Sequence, residues 1–267
     1  MANLPKTEKL DLELNGSWLT VWFNSKENRN ALSDQLTSEL SETLAAVQDD
    51  RSVRGITLRG RHSIFCAGGD LKSFSASQGG GATHEAMATM NRGAGDLFDQ
   101  IMGMPQVVIA LVEGAAIAGG LGLMCCADVV AVTKDAKFSL TETMIGIPPA
   151  QIAPIIVARV GLPKARLLML TGARFTGAET PEYNISDFVA DDVAGLEAIE
   201  KQIQKGVLKC APGAIGATKK ILMATPHLDR DSQKDFAAEK FATALLSDEG
   251  KEGIASFVQK RKPNWAK

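Results

Sequence analysis

At 267 residues, 45% hydrophobic and 22% charged, the chain has enough apolar material for one large domain or a domain with an appendage. A net charge of −2 leaves no basic footprint for nucleic acid, and the long apolar stretches are broken by Gly, Asp or Lys before they reach a bilayer-spanning length. The opening residues, MANLPKTEKLDLEL, lack the apolar core of a signal peptide, so a cytoplasmic protein with no membrane partner is expected.

Leu10, Leu12 and Leu14 alternate with polar residues, Asn15-Gly16 follows, and WLTVWF comes next, which predicts a β-hairpin. A polar loop at 24–32 ends near Ser33, a residue suited to cap a helix, after which Leu36, Leu40, Leu44 and Val47 recur at helical spacing. Residues 53–60 read as a short strand. Residues 62–72, HSIFCAGGDLK, form a first glycine-rich turn, and Gly79, Gly80 and Gly81 a flexible segment. Met87, Met90, Ala94, Leu97 and Ile101 then mark one face of a helix, a stripe more often core than pocket, though it could wall an acyl site.

The stretch at 107–149 organises the rest. An apolar run at 107–112 breaks at Glu113-Gly114, passes through Ala118-Gly119-Gly120 into an apolar helical segment, and leads to a second run at 129–132. Glycines at such a junction leave backbone N–H groups bare at a helix N-terminus, where developing negative charge is stabilised. One acid, Glu142, stands in an otherwise neutral segment beyond the second run. An anion hole with a lone carboxylate points to enolate chemistry.

Helices are expected after Pro154 and Pro163, and a turn with a short strand at 181–193. From Gly195 the pattern is helical throughout, so 1–194 reads as an α/β core and 195–267 as a helical region. The four cysteines, Cys66, Cys125, Cys126 and Cys210, have no metal-ligand spacing, and three histidines are scattered among them, so no metal is expected. Cys125 and Cys126 sit in an apolar run as small buried hydrophobes.

FCAGGDLK at 65–72, GAAIAGG at 114–120, FSLTETMIGIPP at 138–149 and EGIASFVQKRKPNW at 252–265 occur in the order found in the enoyl-CoA hydratase/isomerase family, the crotonase superfamily, which the chain resembles over nearly its whole length. The resemblance implies an α/β crotonase (ClpP-like) fold, a repeated β-β-α superhelix with a C-terminal helical trimerisation region, and a homotrimer or dimer of trimers. It places the backbone N–H groups of Gly69 and Gly119 on the thioester oxygen of an acyl-CoA, and makes Glu142 the general acid or base. Buried among Leu140, Met144 and Ile145, that carboxyl should titrate above the ordinary range. Gly68, Asp70, Gly120 and Gly122 would line the substrate site, Ala67 and Leu71 would meet the adenine, and Arg29 and Lys72 the phosphates. Lys260 and Arg261 would complete a neighbour's site. CoA belongs to the substrate, so no separate cofactor is implied.

Two departures stand out. Two-glutamate hydratases carry a first catalytic glutamate three residues beyond the oxyanion glycine, where this chain has Gly122, and AQIAP at 150–154 replaces a glycine-rich turn. One carboxylate suffices to move a proton between C2 and C4, as in Δ3,Δ2-enoyl-CoA isomerases. Against this, GLGLMCCADV, TETMIGIPPAQIAP and LTGARFTG resemble the branch that contains isohexenylglutaconyl-CoA hydratase, which favours hydration. A carboxylate of the substrate, or water in the space left by Gly122, would then stand in for the missing acid; a non-catalytic member that uses the scaffold to bind acyl-CoA is the other reading left open.

Overall fold

The computed structural model describes residues 3–266. Six strands form the main sheet in the order β1 (Leu10–Asn15), β2 (Trp18–Phe23), β3 (Gly55–Gly60), β4 (Val107–Val112), β6 (Val129–Thr133) and β9 (Phe188–Ala190). The β1–β2 hairpin is antiparallel and turns at Gly16, whose φ is +61°; every later pairing in this sheet is parallel. Parallel strands need crossovers, and these supply the helices. A small second sheet holds β5 (Ala115–Ile117), β7 (Lys137–Ser139) and β8 (Arg174–Thr176). Its first strand lies in what the sequence shows only as a glycine turn.

Between β2 and β3 runs α1 (Asp34–Gln48), capped by the Ser33 side chain, with Leu36, Leu40, Leu44 and Val47 buried as their spacing predicts. Two helices, α2 (Leu71–Gly79) and α3 (His84–Gly103), connect β3 to β4. The α3 stripe is only partly committed to the core: Leu97 and Ile101 are buried, whereas Met87, Met90 and Ala94 are half-buried. After β5 comes α4 (Gly119–Cys125), and after β7 come α5 (Ala153–Val160), α6 (Leu162–Thr171) and the short α7 (Thr180–Tyr183).

The helical region starts as a core layer. Helix α8 (Val193–Val207) lays Leu196 and Val207 against Trp18, Ile109, Leu111 and Ala131, covering the sheet face opposite the main cluster. Two cations, the buried Arg54 and the half-buried Lys219, tie the following segment down. Arg54 donates to the carbonyls of Val207 and Cys210 at the end of α8, where the helix dipole favours positive charge. On α9 (Pro212–Ala224), Lys219 pairs with Asp128 at 2.6 Å and donates to the Gln106 carbonyl at 3.0 Å. The last helices, α10 (Arg230–Leu246) and α11 (Asp248–Val258), leave Phe241, Leu246, Phe257 and Val258 exposed. Among the described residues no helix is long and apolar enough to cross a membrane.

Candidate active site

The first glycine turn is built from the end of β3. His62 and Ser63 both take positive φ, and the chain then runs alongside β5, with Phe65 and Cys66 N–H donating to the Ala115 carbonyl at 2.9 and 3.1 Å. Gly68, at φ +93°, accepts from Leu32 N–H at 2.8 Å, and Gly69 follows. Asp70 ends the turn as the N-cap of α2, its carboxylate accepting from the N–H groups of Lys72 and Ser73. That carboxylate caps a helix rather than standing free for substrate.

The second turn is locked against the first. Ile117 N–H donates to the Cys66 carbonyl at 3.0 Å, and a β-carbon on Gly120 would stand 2.4 Å from that same oxygen, so only glycine fits there. Ala118 takes φ +51°, ψ −123°, a conformation rare outside glycine, and it turns the chain into α4 with Gly119 as first helical residue. A β-carbon on Gly119 would lie 3.7 Å from the Gly69 nitrogen. The two N–H groups are therefore neighbours. Among the described residues neither enters a loop hydrogen bond, and a first helical residue has no intrahelical acceptor. Two free donors side by side are what an oxyanion requires.

Glu142 is brought to these turns by the small sheet. Ile117 pairs with Ser139, and Ala118 N–H donates to the Ser139 carbonyl at 2.8 Å, so the acid lies only three residues beyond a strand bonded to the second turn. It opens a 3-10 turn, Glu142–Ile145, that Thr143 Oγ1 ties to the Met169 carbonyl at 3.1 Å. Glu142 is 9% exposed, and among the described residues its buried Oε2 has no hydrogen-bond partner. Burial pushes its carboxyl above the ordinary range, because the ionised form loses hydration. The enclosure differs from the expected one: Leu140 is buried, but Met144 and Ile145 are 60% and 55% exposed. They face outward with the exposed Ile147, Leu162 and Leu167.

Gly122, expected to line the substrate site, instead seats a side chain. A β-carbon there would stand 2.1 Å from Ile152 Cγ2, and Ile152 is buried just before α5. The place of a β-carbon at this position is filled with hydrocarbon. The two departures seen in the sequence, Gly122 and AQIAP, are thus one packing arrangement. Next to Ile152, Gln151 Nε2 donates to Asn91 Oδ1 at 2.9 Å, pinning the segment after Glu142 to α3.

The remaining expected residues are dispersed. Ala67 N–H already donates to the Arg29 carbonyl at 3.2 Å, which leaves its own carbonyl for a ligand. Leu71 and Lys72 are exposed at the first turn of α2, and Arg29 is exposed on the 24–32 loop. Lys260 is exposed beyond α11 and shares no hydrogen bond or ion pair with the glycine turns among the described residues. Cys66 is a core thiol whose burial pushes it up to about 12, which excludes it as a nucleophile. A cavity of about 1030 Å³ between α9–α11 and the core, lined by Val53, Pro105, Phe241 and Trp265, includes neither glycine turn nor Glu142. Sequence reasoning missed Ala118 and Ile152, since alanine does not advertise a positive φ and an isoleucine gives no sign of which glycine it covers.

Comparison with known proteins agrees with this geometry. The solved structure of Pseudomonas aeruginosa AtuE superposes with a TM-score of 0.94 at 44% identity, covering 97% of this chain and 100% of that one. A Bacillus subtilis protein named probable enoyl-CoA hydratase is 30% identical over 88% of this chain and 90% of its own length. The peroxisomal Delta(3,5)-Delta(2,4)-dienoyl-CoA isomerase of Arabidopsis thaliana is 28% identical over 92% of this chain and 91% of its own. The sequence profile of the enoyl-CoA hydratase/isomerase family matches residues 13–267, and the chain belongs to that family, with its crotonase fold.

Proposed function

We propose that the protein is an enoyl-CoA hydratase whose substrate is a 3-substituted glutaconyl-CoA, of the isohexenylglutaconyl type met in acyclic-terpene or branched-acid breakdown. The observation that carries this reading is the pairing of one buried carboxylate, Glu142, whose Oε2 has no hydrogen-bond partner among the described residues, with an apolar plug, Ile152 on Gly122, where a second acid would stand. Of the two stand-ins considered for that acid, this reading takes the substrate's own carboxylate, because Ile152 occupies the place of a β-carbon on Gly122.

In this reading the N–H groups of Gly69 and Gly119 hold the thioester oxygen. Water adds at C3 while its proton passes to the substrate carboxylate, the thioester becomes an enolate, and protonated Glu142 gives its proton to C2. Proton exchange with solvent restores both carboxyls, and the net change is one water gained. The raised carboxyl suits a group that must hold a proton until the enolate forms. CoA enters with the substrate, and no separate cofactor is assigned. Arg29 and Lys72 are the candidates for its phosphates, with Lys260 acting from a neighbouring copy in a trimer or dimer of trimers.

The apolar plug also favours a second reading. With one carboxylate and a wall that does not hold water, Glu142 can carry a proton between C2 and C4, which is Δ3,Δ2-isomerisation. Incubation with crotonyl-CoA, a 3-methylglutaconyl-CoA and a 3-enoyl-CoA, read by mass, separates the two. Gain of one water on the glutaconyl thioester supports the hydratase; unchanged mass with a moved double bond replaces it with the isomerase. Hydration of crotonyl-CoA at the rate of the glutaconyl thioester rejects substrate assistance.

A further inference from the structure

The residue that holds the first glycine turn in register lies on a different loop. Asn30 is 1% exposed and takes φ +57°, and its side chain is fully engaged in tying the 24–32 loop to the start of that turn. Its Oδ1 accepts from Ser25 N–H at 2.7 Å, and its Nδ2 donates to the carbonyls of Ile64 at 2.7 Å and Arg61 at 3.2 Å. Those two carbonyls bracket His62 and Ser63, both at positive φ, a turn that would be costly without an external partner. On either side of Asn30, the Arg29 carbonyl accepts from Ala67 N–H and Leu32 N–H donates to the Gly68 carbonyl. Residues 29, 30 and 32 therefore grip the chain at 61, 64, 67 and 68, immediately before Gly69.

We propose that Asn30 is a positioning residue for the enolate step: by clamping 61–68 to the 24–32 loop it sets the Gly69 N–H against the Gly119 N–H. A buried asparagine that only stabilised the loop would affect melting. One that sets a donor would affect the step in which charge develops on the thioester oxygen, because such donors act by pre-arranged position. The left-handed backbone at 30 is open to asparagine and glycine alike, so removing the side chain need not move the backbone.

The test compares the wild-type protein with Asn30→Gly and Asn30→Ser in α-proton exchange of butyryl-CoA and glutaryl-CoA in deuterated water, with affinity for the same thioesters measured by calorimetry. Exchange in the variants is expected to fall about 10²-fold, the order of one lost oxyanion donor. Affinity should stay within about threefold, a small change on the binding scale. A folded variant that exchanges at the wild-type rate overturns the proposal, as does an equal loss of affinity and rate. Failure of both variants to fold assigns Asn30 to folding alone and also overturns it. The proposal rests on the enolate reading, and the controls keep the two apart: absence of exchange in wild type rejects that reading, whereas undiminished exchange in the variants rejects only the role of Asn30.

Discussion

Ile152 fills the volume that a side chain on Gly122 would need, its Cγ2 lying 2.1 Å from the position of a β-carbon there. Neither residue has meaning without the other. Gly122 sits inside α4, where glycine costs about 0.8–1.0 kcal/mol relative to alanine, and Ile152 offsets that cost by closing the core over it. Introducing Gly122→Glu alone should lower the melting temperature, because overpacking costs about 1–3 kcal/mol before the buried charge is counted. The double variant Gly122→Glu, Ile152→Ala should recover part of that loss and gain hydration of crotonyl-CoA, measured as one added water. Melting of the single variant at the wild-type temperature would mean that the plug yields freely, and the packing argument would fail.

Glu142→Gln keeps the shape of the side chain and removes its proton chemistry. Turnover should fall by about 10²–10⁴-fold, the range for loss of a general acid, with acyl-CoA affinity retained. Stability should move the other way with pH. A carboxyl raised in the folded state above its ordinary 4.5 favours folding while the folded form keeps its proton, and that advantage is lost as pH rises through the folded value. Wild type should therefore lose stability relative to Glu142→Gln from about pH 4.5 upward, then level off. Denaturant titrations of both proteins across that range read the difference directly. A wild-type protein that gains on the variant as pH rises would place Glu142 in a favourable ionised contact instead.

The pH profile of catalysis separates the two reactions. If protonated Glu142 supplies the C2 proton, kcat/KM for hydration falls as pH rises through its raised value, and Glu142→Gln has no such limb. If ionised Glu142 abstracts from C2 as an isomerase, the rate instead falls as pH drops through the same value. A single measured limb, with its direction, decides which protonation state enters the reaction.

Much of this site was legible as pattern, because β1, β2, α1, β4, α4 and β6 each carry their own local signal and the two glycine turns bring recognisable spacing. Glu142 stood out as a lone acid. What the sequence could not convey is contact between distant segments: that Ile152 covers Gly122, that Asn30 reaches Arg61 and Ile64, and that Met144 and Ile145 turn outward while Glu142 turns in. The strand β5 escaped notice for a related reason. Ala115, Ala116 and Ile117, flanked by Gly114 and Gly119 within the second glycine turn, have no period of their own, and they form a strand because β7 pairs with them.

Adjacent glycines in the second turn should fail in different ways when replaced by alanine. A methyl group on Gly120 would press to 2.4 Å from the Cys66 carbonyl, which is backbone and already accepts from Ile117 N–H, so the two turns must separate. A methyl on Gly119 meets only the end of the Leu32 side chain at 3.3 Å and stands 3.7 Å from the Gly69 nitrogen. Gly120→Ala should thus lower both melting temperature and rate, in the range of about 1–3 kcal/mol for overpacking. Gly119→Ala should leave melting near wild type yet cut turnover, because the new methyl would cover the two donors proposed to hold the thioester oxygen. Thermal melts beside α-proton exchange on the two variants check this. Equal exchange in Gly119→Ala and wild type would remove the Gly69–Gly119 pair from the mechanism, since a donor pair that works beneath a methyl group is not the one holding the enolate.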